Sequence, residues 1–165
     1  MEPGEVSVTE LENFTFDELT VGQTAEYSRT LGEDDIILFA AVSGDVNPVH
    51  LDEDFARTTM FRERIAHGMY TGGLISAALA MKLPGPGTIY LGQNLKFERP
   101  VKLGDTITVQ LKVLEKIAGK NFVTLDTTAT NQNGKIVVSG TATVMAPKEK
   151  VTMDAPALPV IDIRH

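Results

Sequence analysis

The spacing of apolar and polar positions changes character several times along the chain. Residues 24–31 (TAEYSRTL) combine β-forming residues with partial alternation, which predicts a first strand. The run Glu33–Val42 (EDDIILFAAV) has acids in its first turn, where they complement the helix dipole, and Ile36, Phe39 and Ala40 on one face. That predicts a helix, ended by Ser43-Gly44. The stretch 44–51 (GDVNPVHL) reads as a loop, because Pro48 interrupts regular helix and presses Asn47 into an extended conformation. Residues 52–59 suit a short helical turn. From His67 to Lys82 (HGMYTGGLISAALAMK) the pattern is helical and poor in bulk: Gly72, Gly73, Ala77, Ala78 and Ala80 let a helix lie close to another backbone, as inside a curved sheet. Pro84-Gly85-Pro86-Gly87 stops it.

Beyond Thr88 the period shifts to two. Ile89, Leu91, Leu95 and Phe97 alternate with Tyr90, Asn94 and Lys96, followed by strands over 106–117, 122–130 and 136–145 with turns at 119–121 and 131–134. One strand, a helical region and four strands predict an α+β fold rather than a βαβ repeat. The 165 residues fit one domain. We place its limits at 14–147, with a flexible acidic segment over 1–13 and a proline-spaced linker or C-terminal tail over 148–165.

Composition narrows the function. With no cysteine, disulfides, thiolate metal sites and a cysteine nucleophile are excluded. A net charge of −7 argues against a nucleic-acid surface but allows an anionic small ligand held by local cations and backbone N–H groups. The N-terminus lacks a signal-peptide pattern and the stretch 72–83 is too short to span a membrane, so a cytoplasmic protein with no membrane association is expected.

The chemistry concentrates in two places. Ser43-Gly44-Asp45-Val46-Asn47-Pro48-Val49-His50 sets a carboxylate and an imidazole five positions apart across an Asn-Pro bend. On a helix they would face different ways; on a bent loop both can reach one water molecule, as hydration of an activated alkene requires. The same residues also suit a plainer arrangement, Asp45 capping the next turn and His50 solvated. Ala66-His67-Gly68-Met69 opens the small-residue helix, where exposed N–H groups at the positive end of the dipole suit an oxyanion, or where Gly68 merely permits a tight entry and His67 caps or packs. Ser76, about 2.5 turns beyond His67 at roughly 3.6 residues per turn, either bonds back to its own helix or reaches a polar neighbour. No His/Glu pair is spaced for a metal on one helix face, and no Walker or dinucleotide fingerprint occurs, so neither a metal nor a cofactor is expected.

The segment Phe39 to Asp52 (FAAVSGDVNPVHLD) resembles the signature of the MaoC-like, R-specific enoyl-CoA hydratases. Ile65 to Met69, Pro84 to Gln93 and Phe97 to Val101 resemble three further blocks of that family, in order, over roughly residues 14–147. The resemblance implies a hot-dog fold, a curved antiparallel sheet around one helix over 68–81. It also implies a homodimer, or a dimer of dimers, with acyl-CoA sites near the interface. In that family the signature Asp and His activate water for syn addition to a trans-2-enoyl-CoA, giving an (R)-3-hydroxyacyl-CoA. The roles map onto Asp45 and His50, the oxyanion donor onto the Gly68 N–H and a supporting hydroxyl onto Ser76. Asn47, His67, Met69 and Tyr70 are the accompanying substrate-binding candidates. The run from Asn13 to His165 also resembles the hydratase part of bifunctional enoyl-CoA hydratase/phosphate acetyltransferases, which would make an acyltransferase a partner or a fused neighbour. An acyl tunnel lined by Leu38, Val42, Phe61, Tyr70 and Leu74, and coenzyme A phosphates held by Arg62, Arg64, Lys96 and Arg99, are further expectations. Hydrolysis of the thioester, or a non-catalytic acyl-CoA-binding module, would fit the same fold.

Overall fold

The computed structural model describes residues 9–165. Its centre is a five-stranded antiparallel sheet in the order β2-β4-β5-β6-β3, formed by β2 (Thr24–Thr30), β3 (Ile89–Phe97), β4 (Thr106–Ile117), β5 (Phe122–Thr130) and β6 (Ile136–Met145). Strict alternation drives the central strands: Ile107, Val109, Leu111 and Val113 of β4 and Val123, Leu125 and Ala129 of β5 are fully buried, while their neighbours face outward. Each large aliphatic side chain removed from water in this way contributes about 1.5–3 kcal/mol before chain entropy is set against it.

The helix Gly68–Met81, α4 of four among the described residues, packs on the sheet and touches β2, β3, β4 and β5. Tyr70, Leu74, Ile75, Ala78 and Leu79 form its buried side. Sheet and helix together give the single α+β, hot-dog architecture expected of the sequence. The other helices, α1 (Glu33–Ser43), α2 (Pro48–Leu51) and α3 (Glu53–Thr58), fall between β2 and α4. The segment expected to be pure loop contains α2: Pro48 takes the first helical position, where its missing N–H costs nothing, and Asn47 caps the turn.

β3, at the sheet edge, departs from simple alternation. A bulge between Tyr90 and Gly92 takes Leu91 out of register, and Leu95 alone of the expected apolar set packs on the core, with Ile89, Leu91 and Phe97 exposed. Glycine is required opposite Leu95: a Cβ on Gly140 would stand 2.0 Å from the Asn94 carbonyl oxygen.

The two ends of the chain are tied to the domain, which corrects both expected boundaries. β1 (Glu10–Glu12) pairs antiparallel with β7 (Thr152–Asp154). Asn13, fully buried, donates from Nδ2 to the carbonyls of Pro86 (3.0 Å) and Glu149 (2.9 Å) and accepts the Val151 N–H at 2.9 Å. Residues 9–13 and 148–154 are therefore ordered structure; the rest of the expected flexible lead-in lies outside the described residues. Beyond Asp154 the chain runs on without helix or strand, and His165 Nε2 ends 3.3 Å from Asp34 of α1. No helix among the described residues is long and apolar enough to cross a membrane.

Candidate active site

A relay of short side-chain-to-backbone bonds shapes the loop between α1 and α2. Gly44 ends α1 in the left-handed region (φ 78°). The Ser43 hydroxyl donates to the Phe39 carbonyl (2.6 Å) and accepts the Asp45 N–H (3.2 Å). Asp45 Oδ1 then accepts the Asn47 N–H (3.0 Å), and Asn47 Oδ1 the Val49 N–H (3.2 Å). This folding leaves Asp45 Oδ2 directed at the ring of His50 on α2, 3.8 Å from Nε2. The other ring nitrogen, Nδ1, lies 2.8 Å from the Ile65 carbonyl. A carbonyl only accepts, so neutral His50 carries its proton on Nδ1 and presents a bare Nε2 to the carboxylate. The gap is too long for a direct hydrogen bond. It fits one water between two acceptors. The imidazole side chain is 10% exposed and the carboxylate 50%, so one wall is fixed and the other open to solvent.

The neighbouring segment 64–67 grips this loop. Arg64 Nε donates to the His50 carbonyl at 2.6 Å, while its Nη1 meets both carboxylate oxygens of Glu33 at 2.8 and 3.0 Å. His67, 4% exposed, stacks on His50 with ring centroids 3.8 Å apart and planes 28° apart. Its Nε2 lies 2.9 Å from the Asp45 carbonyl. Asp45, His50 and His67 offer potential metal donors within 4.8 Å of one another. One nitrogen of each ring already faces a backbone carbonyl, so each imidazole has a single nitrogen left to offer.

A cavity of about 400 Å³ opens beside His50, lined by His50, His67 and Gly68 with Phe61, Phe97 and Arg99 among its walls; Asp45 is not one of its lining residues. Gly68 begins α4, and among the described residues no side chain caps that end; the Tyr70 N–H bonds the His67 carbonyl, which leaves the N–H groups of Gly68 and Met69 for a ligand. A Cβ on Gly68 would sit 3.0 Å from the Phe97 ring, at the cavity wall.

Other expected site residues fall elsewhere. Ser76 is about 12 Å along the helix from Gly68, at ~1.5 Å per residue. It lines a second cavity of about 470 Å³ with Met69, Phe39, Gly72 and Leu91, apart from His50. Asn47 acts as a cap on the loop. Tyr70 points into the core with a buried hydroxyl that has no hydrogen-bond partner among the described residues, and burial pushes its phenol pKa up; it lines neither cavity. Leu74 is likewise core, Val42 is exposed, and Leu38 lines neither cavity; of the expected tunnel residues only Phe61 lines the one beside His50. Among the expected phosphate cations, Arg64 is paired with Glu33 and Lys96 with Glu98, Arg62 donates to the Arg57 carbonyl, and Arg99 alone lines the first cavity. The grip of Arg64 and of the Ile65 carbonyl went unread in the sequence. Glu33 and Arg64 are 31 positions apart, and a backbone carbonyl leaves no mark in residue type.

The model of the MaoC like domain matches residues 17–143. This chain belongs to that family. Among its relatives, the (R)-specific enoyl-CoA hydratase of Rhodospirillum rubrum is 51% identical over 132 residues, covering 80% of this chain and 91% of the relative. The (R)-specific enoyl-CoA hydratase of Aeromonas caviae is 44% identical over 129 residues, covering 78% and 96%. Among solved structures, the unliganded R-hydratase PhaJ1 of Pseudomonas aeruginosa superposes with a TM-score of 0.91 at 58% identity, over 94% of this chain and all (100%) of that one. For a MaoC-like domain, the loop carrying Asp45 and His50 and the head of α4 fall well inside the matched segment.

Proposed function

We propose that this protein is an R-specific enoyl-CoA hydratase, adding water reversibly to a trans-2-enoyl-CoA to give the (R)-3-hydroxyacyl-CoA. The observation that carries the mechanism is the 3.8 Å separation of His50 Nε2 and Asp45 Oδ2, two acceptors facing one small volume. A water there donates one proton to each and keeps its lone pairs free for the β-carbon of the enoyl group. As the C–O bond forms, the water proton passes to Asp45 while His50 holds the oxygen in place. The alkene electrons move onto the thioester oxygen, and the resulting enolate is met by the Gly68 N–H at the positive end of α4. Return of a proton from the Asp45/His50 pair to the α-carbon, on the same face, completes a syn addition. The two groups act as a coupled unit. The stereochemical outcome follows the relatives named for it.

The β3 edge supports a homodimer: it is the terminal strand of the sheet, and Ile89 and Leu91 are exposed along it.

Asp45→Asn keeps the loop's hydrogen-bond acceptor and removes the base. Turnover of crotonyl-CoA, followed by loss of the enoyl thioester absorbance, is expected to fall by about 10²–10⁴-fold with thermal stability unchanged. A near-normal rate in this variant defeats the assignment. A thiol reagent run in parallel should detect no free coenzyme A; release at the hydration rate would point to thioester hydrolysis instead.

A further inference from the structure

His67 is the most buried ionisable side chain beside the site, and the hydration mechanism gives it no step. It is 4% exposed, its ring lies face to face with that of His50 at 3.8 Å, and the Phe39 ring covers it at 4.9 Å. One nitrogen, Nε2, lies 2.9 Å from the backbone carbonyl of Asp45. The other, Nδ1, is buried with no partner among the described residues. A carbonyl only accepts, so the proton must sit on Nε2, and Nδ1 is a bare lone pair sealed away from water. His67 is thus the opposite tautomer to His50, whose proton is on Nδ1 facing the Ile65 carbonyl.

This arrangement makes little sense as a device for stability, since a buried, unpartnered acceptor weakens a fold. Its geometry makes sense for position. Asp45 is half exposed, and its side chain spends Oδ1 on the Asn47 N–H within its own loop. Among the described residues, the donation from His67 Nε2 is the bond that ties the Asp45 carbonyl to the head of α4, the element that also presents Gly68. Arg64 makes the matching grip on the His50 carbonyl. Each half of the acid–base pair is therefore held at its backbone by a side chain from 64–67, and an error of about 1 Å in such a pair can cost 10²-fold in rate.

We propose that His67 is a positioning residue: its Nε2–H, through the carbonyl of Asp45, sets the distance between the Asp45 carboxylate and the His50 ring. The proposal rests on the hydratase reading of those two groups. The test compares two substitutions. His67→Gln places an amide N–H close to where Nε2 stands and keeps the bond; His67→Phe keeps a flat ring against His50, removes the unpartnered nitrogen and loses the bond.

For His67→Phe, kcat with crotonyl-CoA is expected to fall at least about tenfold, with KM within about threefold and a melting temperature equal to or above the wild type. His67→Gln is expected to keep kcat within about threefold of wild type. In the uniformly ¹⁵N-labelled wild-type protein, long-range ring correlations should show the Nε2–H tautomer for His67 and the Nδ1–H tautomer for His50. The proposal is overturned if His67→Phe turns over normally, if His67→Gln is as impaired as His67→Phe, if the loss appears only in KM or tracks a lowered melting temperature, or if His67 is the Nδ1–H tautomer. Asp45→Asn, assayed alongside, separates the two levels. An active Asp45→Asn removes the hydratase assignment itself, whereas an inactive Asp45→Asn beside a normal His67→Phe removes only the role of His67.

Discussion

At the scale of single residues, spacing alone leaves the Asp45/His50 loop open between a converging pair and a plain turn, and the family resemblance favours the pair. Their approach to 3.8 Å was legible, because a carboxylate and an imidazole flanking Asn-Pro can converge on a bend, and the loop does bend, though through a helical turn opened by Pro48. Tyr70 was not. Along α4 nearly every position is apolar or small, so no amphipathic stripe says which face turns inward, and Tyr70 was expected to contact substrate when its ring lies in the core. Ser76 lines the second cavity and Gly68 the first, since sharing a helix does not mean sharing a cavity. The Tyr70 hydroxyl, buried with no partner among the described residues, is a cost to the fold of roughly 1–3 kcal/mol. Tyr70→Phe is therefore expected to leave the melting temperature unchanged or raise it, at about 2–4 °C per kcal/mol for a domain of this size. Hydratase turnover should stay within about twofold of wild type, since the ring lines neither cavity. A drop of several degrees in a calorimetric scan would reveal a partner for the hydroxyl; a large loss of turnover at unchanged stability would return Tyr70 to the site.

At the scale of elements, the strands and helices were read nearly to their ends, because period-two alternation and the helix-stopping Pro84-Gly85-Pro86-Gly87 are local signals. What failed was long-range pairing of short, polar segments. Glu10-Leu11-Glu12 offers too little pattern to read as a strand, and finds one only because Thr152-Met153-Asp154 lies alongside it. This clasp is joined by charge: Lys150 Nζ reaches Glu12 (3.0 Å) and Glu18 (3.2 Å). The bond from the Thr15 N–H, and then Lys150, hold the Glu18 carboxyl below its usual range, while the bond to Glu12 raises Lys150. A lowered acid stabilises the clasp fully above the ordinary glutamate pKa and loses that contribution as pH falls through the lowered value. A raised base stabilises it fully below the ordinary lysine pKa and loses it as pH rises through the raised value. Protection factors of the Val151 and Ala155 amides should thus be greatest between those limits and decline on both flanks, relative to amides of the β4–β5 ladder. The effect is small and weakened by salt, because all three groups are at the surface. Lys150→Met should remove the alkaline decline; its persistence in that variant would assign the decline to another group.

At the scale of the whole molecule, the feature hardest to read from the sequence is what β3 leaves uncovered. Its alternation of Ile89, Leu91, Leu95 and Phe97 looks like that of a strand with one buried face, yet within one chain only Leu95 finds the core. Exposed apolar side chains on a terminal strand, beside unpaired backbone N–H and C=O groups, form a template for another strand. A second copy offers the same edge, and an antiparallel pairing of β3 with itself is compatible with the two-fold symmetry most homodimers have. The second cavity, between α4 at Gly72, Gly73 and Ser76 and the Tyr90–Gln93 stretch, lies along that edge. A stable interface buries about 1,200–2,000 Å² in total, which a strand edge and one helix face per chain can supply. Light scattering on the eluting protein is therefore expected to give twice the 17.9 kDa chain mass at micromolar concentration. Because the contact is apolar and each chain carries a net charge of −7, added salt should leave that mass unchanged or favour the pair, by screening repulsion between like-charged copies. Leu91→Lys places a charge on the bulge of each facing edge and should shift the population to the single-chain mass while the far-ultraviolet dichroism of the sheet is retained. A wild-type protein that elutes as one chain, or a Leu91→Lys variant that remains paired, would move the interface away from β3.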